Sequence, residues 1–332
     1  MDYKPPIHFK CLIIIILAPV FIFCRQKTYD HIEHVNSSYT PWFTGSILPP
    51  SAINAQPGHP VLAPYVGATL TYGSYDNDWH CKETDNMWSI TPYVECLFGI
   101  TDHIGVDLYT SFTSNFKKGQ HSTHLQDTIV LLGFQVAHDT PKSWIPDIRI
   151  TFQETFPTGN YQKLNPLKLG TDSTGQGSFQ SGFNLIVQKL FPLKTHFLLF
   201  KWTIGYLFPA PVHVKNLNTY GGGPGTSGKV SPGQTLMMYF SGEYSITQKW
   251  VLTFDIFFNH QGESMFSGNP GITSNEESNI VGLPCLEQIT LAPQVEYNLS
   301  SNSGLLFGLW ATAFGKNSPA FATALAAYYI AF

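Results

Sequence analysis

Charge is what this chain has little of. Only 12% of its residues are charged, where a soluble domain typically carries about 25%, and aromatic residues outnumber them at 14%. A helical membrane protein would offset that deficit with long apolar runs. After residue 24 no such run reaches the roughly 18 residues that a spanning helix needs, and mean hydropathy stands near zero at -0.03. A basic surplus is missing as well, and the net charge of -4 argues against a nucleic-acid partner. Cysteine is sparse: outside the first 24 residues there are only Cys81, Cys96 and Cys285, an odd number that leaves at least one thiol unpaired.

What the chain does have is alternation. From residue 63 onward it divides into twelve segments in which apolar and polar side chains take turns, the signature of strands with two different faces. They read as 63–75, 87–100, 104–116, 125–138, 146–156, 180–190, 197–208, 234–246, 250–261, 286–297, 304–315 and 320–332. Such lengths suit tilted membrane-crossing strands, and an even count suits a closed antiparallel barrel. In one segment Trp202, Ile204, Tyr206 and Phe208 alternate with Lys201, Thr203 and Gly205; in another Leu252, Phe254 and Ile256 alternate with Thr253 and Asp255. The bulky set must face lipid, because a Lys near the bilayer midplane costs roughly 2–4 kcal/mol. An open sheet would leave backbone groups unpaired in hydrocarbon, so the sheet must close. The expected fold class is therefore all-β, a transmembrane antiparallel up-and-down β-barrel of about twelve strands.

Three divisions follow. Residues 1–24 read as a signal peptide, with Lys4 and Lys10 ahead of the apolar run Cys11 to Phe23. Residues 25–62, punctuated by Pro41, Pro49, Pro50, Pro57 and Pro60, read as an irregular leader, periplasmic or plug-like. Residues 63–332 form the barrel. Of its connections, 157–179, 209–233 and 262–285 are long and polar, while 101–103, 247–249 and 298–303 are short, the asymmetry of outer loops against periplasmic turns. This register sets Cys81 and Cys96 at opposite ends, too far apart to bond, and leaves a Cys81–Cys285 pair open.

On the same register the inward positions include Glu95, Asp107, Asp127, Asp147, Glu243, Asp255 and Glu296, against Arg149 and Lys201. These are the candidate lumen-lining residues. An acidic ring would favour cations; alternatively the acids pair with the bases and with neighbouring Gln and Tyr to fill a plugged interior. Tyr109, Trp88, Trp250, Tyr297 and Tyr328, near strand ends, fit interfacial aromatic girdles. Glu154 falls out of phase with Asp147 and Arg149, which suggests a bulge or a misplaced boundary, and Pro92 and Pro293 sit awkwardly inside strands.

Motifs with chemical meaning are weak. The stretch Gly221 to Lys229 contains a formal GxGxxG and a near P-loop, but Val230 follows Lys229 and Pro232-Gly233 blocks a helix, so it reads as an outer loop. His31 with His34, and His121 with His124, have a metal-like spacing only if helical, and they read as solvated histidines; no metal and no cofactor is expected. His260 and Ser264 are the nearest approach to a hydrolase pair, with no elbow motif around them.

The final strand carries the clearest resemblance. Phe332, Ile330, Tyr328, Ala326, Ala324 and Ala322 form an apolar face at steps of two that ends on an aromatic. This is similar to the closing strand of Gram-negative outer-membrane β-barrels, and it implies that Tyr328, Ile330 and Phe332 are an assembly signal for the barrel-insertion machinery, with outer-membrane lipid as the other partner. Ile148 to Tyr161, with Phe156-Pro157-Thr158-Gly159-Asn160-Tyr161 and the return at Gly177-Ser178-Phe179, resembles the outer-membrane channels linked with meta-pathway phenol degradation. The turn Phe98 to Val106 is similar to that family's short periplasmic hairpin. The resemblance implies a transporter-like, non-enzymatic channel for small solutes, hydrophobic or aromatic ones among them. Two other readings remain: a barrel that acts through its long surface loops, and a lipid hydrolase.

Overall fold

The computed structural model describes residues 39–140, 144–273 and 275–332; the signal segment and the His31/His34 pair lie outside them. Sixteen strands follow in chain order: β1 (Val61–Tyr75), β2 (Cys81–Gly99), β3 (Ile104–Lys117), β4 (Gln120–Leu125), β5 (Thr128–Ala137), β6 (Asp147–Phe156), β7 (Gln180–Pro192), β8 (Phe197–Pro209), β9 (Val212–Lys215), β10 (Ser227–Ser231), β11 (Thr235–Ser245), β12 (Trp250–Gln261), β13 (Met265–Asn269), β14 (Leu286–Ser300), β15 (Ser303–Lys316) and β16 (Pro319–Ala331). Each barrel strand pairs antiparallel with its neighbours in sequence, and β1 pairs with both β2 and β16, which closes the ring. Both β4 and β5 pair with β3 and together make one interrupted strand, so the barrel has twelve. The remaining three, β9, β10 and β13, form a separate sheet in the outer loops.

The two faces separate by exposure as hydrocarbon demands. Along β12, Leu252 and Phe254 are 49% and 45% exposed, while Val251 and Asp255 are both at 0%. Among the described residues nothing covers the apolar side of this wall, and in water such a continuous belt would be an aggregation surface; it is stable as a lipid-facing surface. The chain is thus a transmembrane β-barrel with an apolar exterior and a polar interior.

Several local expectations need correction. The connection between the third and fourth segments is a two-residue turn at Lys118 and Gly119, both with positive φ (47° and 79°), the geometry of a tight hairpin; residues 120–125 are strand. Glu154 sits in an unbroken register with Ser181, whose hydroxyl it accepts at 2.6 Å, so no bulge lies there. The irregularities in that part of the wall fall between Gln135 and Ala137 and at residues 126–127, between β4 and β5. Pro92 and Pro293 both lie within strands: each is in register with one neighbour, Val66 or Phe254, and interrupts the ladder on the other side. All three cysteines Cys81, Cys96 and Cys285 are free, so the open Cys81–Cys285 pairing is not formed.

Trp88 and Tyr328 face outward, and Trp250 packs against Tyr297, its cross-strand partner, with ring centroids 4.6 Å apart and the rings tilted by 49°. Tyr109 does not belong with them. It points inward and donates to Glu95 Oε1 at 3.0 Å.

Candidate functional site: the lumen and the segment that crosses it

Inward-facing side chains are set by strand parity. On β3 the odd positions point inside, on β6 the odd ones, on β11 and β12 the odd ones, and on β14 the even ones. This puts Asp107, Asp147, Arg149, Lys201, Glu243, Asp255 and Glu296 on the inner wall, all of them buried. Glu95 joins them, held by the hydroxyls of Tyr65 (3.2 Å) and Tyr109 (3.0 Å). Asp127 lies elsewhere, at the break between β4 and β5.

The acids do not line an empty tube. Residues 39–59 run irregularly along and across the inside of the barrel, close to the rim of short turns. Tyr39 meets Ser245 at the foot of β11, and Trp42 O accepts from Asn298 Nδ2 on β14. The Thr44 amide donates to Glu296 Oε2 at 2.8 Å, the Ile47 amide to Gln294 Oε1 at 3.0 Å, and the Leu48 amide to Asp255 Oδ2 at 3.1 Å. Ser46 Oγ accepts from Lys201 Nζ. Five strands further round the ring, the same segment meets β5 and β6: the Asn54 amide donates to Gln135 Oε1, and Ser51 O and Asn54 Oδ1 accept from Arg149. It then passes Gly99, bridging there through Pro57, and turns into β1. A chain that touches β14 and β6 in a ring of twelve must span the lumen between them.

Arg149 anchors the second contact. Its Nη1 and Nη2 each donate to one oxygen of Asp107 at 2.8 Å, and its Nε donates to Asn54 Oδ1 at 2.6 Å. A bidentate pair of this kind is stronger than neutral hydrogen bonds and fixes orientation. The guanidinium lies directly over Gly133, where a Cβ would collide with Arg149. At the first contact the compensation is less complete. Lys201 Nζ stands 3.8 Å from Glu243 Oε1, against 2.8 Å for Arg149 and Asp107, and the buried Thr203 hydroxyl has no hydrogen-bond partner among the described residues. Two stacked aromatic pairs also face inward, Tyr65 on Tyr93 at 4.2 Å and Tyr239 on Phe257 at 4.4 Å.

At the opposite end the loops are folded. Asp127 accepts the amides of Gly159 (2.9 Å) and Gln176 (2.7 Å), and inward-facing Asn115 donates to Thr171 O, so loop 157–179 is tied down to the inner wall. That loop also bonds to loop 210–234 through Lys163, Leu164 and Tyr161. Val212, Val214, Tyr220 and Val230 form a small core of their own beneath the β9–β10–β13 sheet.

The remaining candidates separate. His121 and His124 lie on β4, where a spacing of three puts them on opposite faces. Lys229 lies in β10, paired with Ser267 and His213, not at the start of a helix. His260 faces Glu287, whereas Ser264 bonds Leu283 through its backbone amide and its buried hydroxyl meets no partner among the described residues; the two are not joined as a nucleophile and its base. Tyr328 and Ile330 occupy β16, in register with Leu305 and Leu62, and the Phe332 amide donates to Pro60 O. Sequence reasoning missed Gln135, Gln294 and Asn298, polar residues on inward positions that strand parity alone would have flagged.

The barrel is similar to the COG4313 outer membrane channel from Pseudomonas putida F1, with a TM-score of 0.67 over 86% of this chain and 100% of that one at 13% identity. The NanC porin matches with a TM-score of 0.42 and 10% identity, over 80% of this chain and 98% of that one. The translocator domain of the autotransporter NalP from Neisseria meningitidis matches at 0.41 and 10%, over 82% and 88%. No family model and no curated protein matches the sequence. The chain has the fold of a Gram-negative outer-membrane β-barrel.

Proposed function

We propose that this protein is a non-enzymatic outer-membrane channel for small solutes, closed at its periplasmic mouth by residues 39–59 of its own chain. The observation that carries this reading is the set of amides from Thr44, Ile47 and Leu48 bonded to side chains of the inner wall. A wall built only for stability would bury apolar side chains against such a segment; this one presents carboxylates and amides that can be re-solvated when the segment leaves.

Two features support a solute class. Six inward acids against two bases favour cations and neutral molecules over anions. The inward stacks Tyr65–Tyr93 and Tyr239–Phe257 offer faces to flat apolar groups, which suits neutral or cationic aromatics. Recordings in planar bilayers under a salt gradient test this. The intact chain should conduct rarely, and a variant lacking residues 39–59 should conduct steadily with cation preference. A shortened variant that stays silent, or that prefers anions, overturns the reading.

One observation favours a second reading. The outer loops have their own core and carry an open hollow of about 430 Å³ lined by Tyr161, Lys163, Phe179, His213 and Lys215, which suits a surface that binds rather than conducts. Trimming loops 210–234 and 262–285 would then abolish function while conductance persists.

A further inference from the structure

We propose that His260, Cys285 and Glu287 form a binding site for a divalent transition-metal cation of the zinc type, set where loop 262–285 leaves and rejoins the barrel. His260 on β12 and Glu287 on β14 are direct register partners. Cys285 lies immediately ahead of β14, two residues before Glu287. His260 Nδ1 lies 3.4 Å from Glu287 Oε1 and 4.0 Å from Cys285 Sγ, and the three donor atoms all fall within 4.8 Å of one another.

A tetrahedral zinc ion, with bonds of roughly 2.0–2.3 Å, holds its donors about 3.4–3.7 Å apart. Side-chain adjustments of about an ångström therefore close the site, with no shift of the sheet. The donor set decides the metal class. One thiolate, one imidazole and one carboxylate suit zinc and its neighbours in the transition series, while calcium and magnesium take oxygen donors. Three protein donors leave a fourth position for water. An ion pair between His260 and Glu287 would account for two of the three side chains, but not for a free thiol beside them.

The charged groups acting on Cys285 are Glu287, Glu263 and Lys316, the last the register partner of Glu287 on β15. Zinc binds cysteine as the thiolate, so binding releases the thiol proton. Its mechanical effect follows from placement. His260 and Cys285 are the two feet of the loop that carries β13 and contributes Val281 and Leu283 to the outer core. Cross-linking those feet limits the loop's opening.

The test uses the full barrel in detergent, purified without a polyhistidine tag, with Co²⁺ as the spectroscopic probe. One equivalent should give a thiolate-to-cobalt charge-transfer band, displaced by Zn²⁺ and not by excess Ca²⁺ or Mg²⁺. Cys285→Ser should abolish the band, and His260→Ala and Glu287→Gln should weaken binding at least tenfold. Cys81→Ser and Cys96→Ser should leave it unchanged. Zn²⁺ should slow proteolysis within loop 262–285 in the parent and not in Cys285→Ser, with heat-modifiable gel migration showing that each variant is folded. A band that survives Cys285→Ser, that follows Cys81 or Cys96, or that Ca²⁺ displaces as readily as Zn²⁺ overturns the proposal, as does the lack of any Co²⁺ binding at millimolar concentration.

Discussion

The backbone amide of Thr44 donates to Glu296 Oε2 at 2.8 Å, across a sequence separation of 252 residues. The same carboxylate accepts Thr253 Oγ1 through its other oxygen at 2.8 Å, so Glu296 ties a crossing segment to two adjacent strands of the wall. Leaving a buried donor such as the Thr44 amide without its acceptor costs about 1–3 kcal/mol. Replacing Glu296 with Ala removes the acceptor and shifts the segment toward its released state by roughly ten- to hundredfold. The check is thiol labelling of Ala52→Cys, a buried position on that segment, in a background without the native cysteines. Labelling by a water-soluble reagent should accelerate at least tenfold when Glu296→Ala is added, and an unchanged rate would detach Glu296 from the closure.

Arg149 and Asp107 pose a sharper energetic case because both are essentially unexposed, at 0% and 1%. Removing one member of a buried pair leaves the other uncompensated and costs about 3–5 kcal/mol, whereas replacing both with apolar residues of similar size is often near neutral. Asp107→Leu alone should lower the urea midpoint of the barrel in lipid vesicles sharply. Asp107→Leu with Arg149→Met should recover most of it. The double variant should still label faster at Ala52→Cys, because Ser51 and Asn54 lose the guanidinium that holds them. Stability and closure thereby separate in one pair of variants.

Gly99 gives a steric handle on the same segment. A Cβ there would run into the carbonyl of Ala55 and stand 2.6 Å from the backbone carbon of Gln56, atoms that cannot rotate away. Gly99→Ala should therefore push residues 55–57 off the wall and raise open probability. In a variant already lacking residues 39–59 the same change should be neutral or slightly stabilising, since alanine costs less conformational entropy than glycine in a strand. Equal effects in both backgrounds would mean that the collision is relieved elsewhere.

The barrel was legible in the sequence because hydrocarbon enforces it. Phe254 and Asp255 cannot exchange faces without putting a carboxylate in lipid, so each strand announces its parity and each turn its break. The crossing segment had no such signal. Its contacts run through the amides of Thr44, Ile47 and Leu48, donors that any residue but proline supplies, and irregular backbone carries no period. Tyr109 shows a related limit: an aromatic in a membrane-crossing strand suggests a girdle, while its parity with Asp107 puts it inside. The trio His260, Cys285 and Glu287 became visible only when the register brought β12 and β14 together.

The turn after β1 supplies a pH effect. Asp76 accepts the amides of His80 (3.0 Å) and Asp78 (2.9 Å) and pairs with Lys82 at 3.1 Å, and these contacts, His80 first, hold its carboxyl down to about 2. The folded value lies below the ordinary value of about 3.9. Its contribution is thus complete above that ordinary value and is lost as pH falls through about 2. The group is exposed, so salt should screen most of the effect. A carboxyl titration followed by NMR should show the low midpoint in the parent and its return toward the ordinary range with Lys82→Ala; a parent midpoint near 4 would contradict the turn geometry.

Whether the apolar exterior meets hydrocarbon can be measured at single positions. Ile256 is outward-facing near the middle of β12, and its cross-strand neighbours are Phe240 and Leu291. Placing an arginine near the bilayer midplane costs about 2–4 kcal/mol, and close to the interface only about 0–1. Ile256→Arg should accordingly lower stability in phospholipid vesicles by several kcal/mol, while Trp250→Arg, at the rim of the same strand, should cost chiefly the ring contact with Tyr297. The ratio between the two decides the matter, since a wall that faced water would tolerate arginine equally at both sites and gain solubility from it.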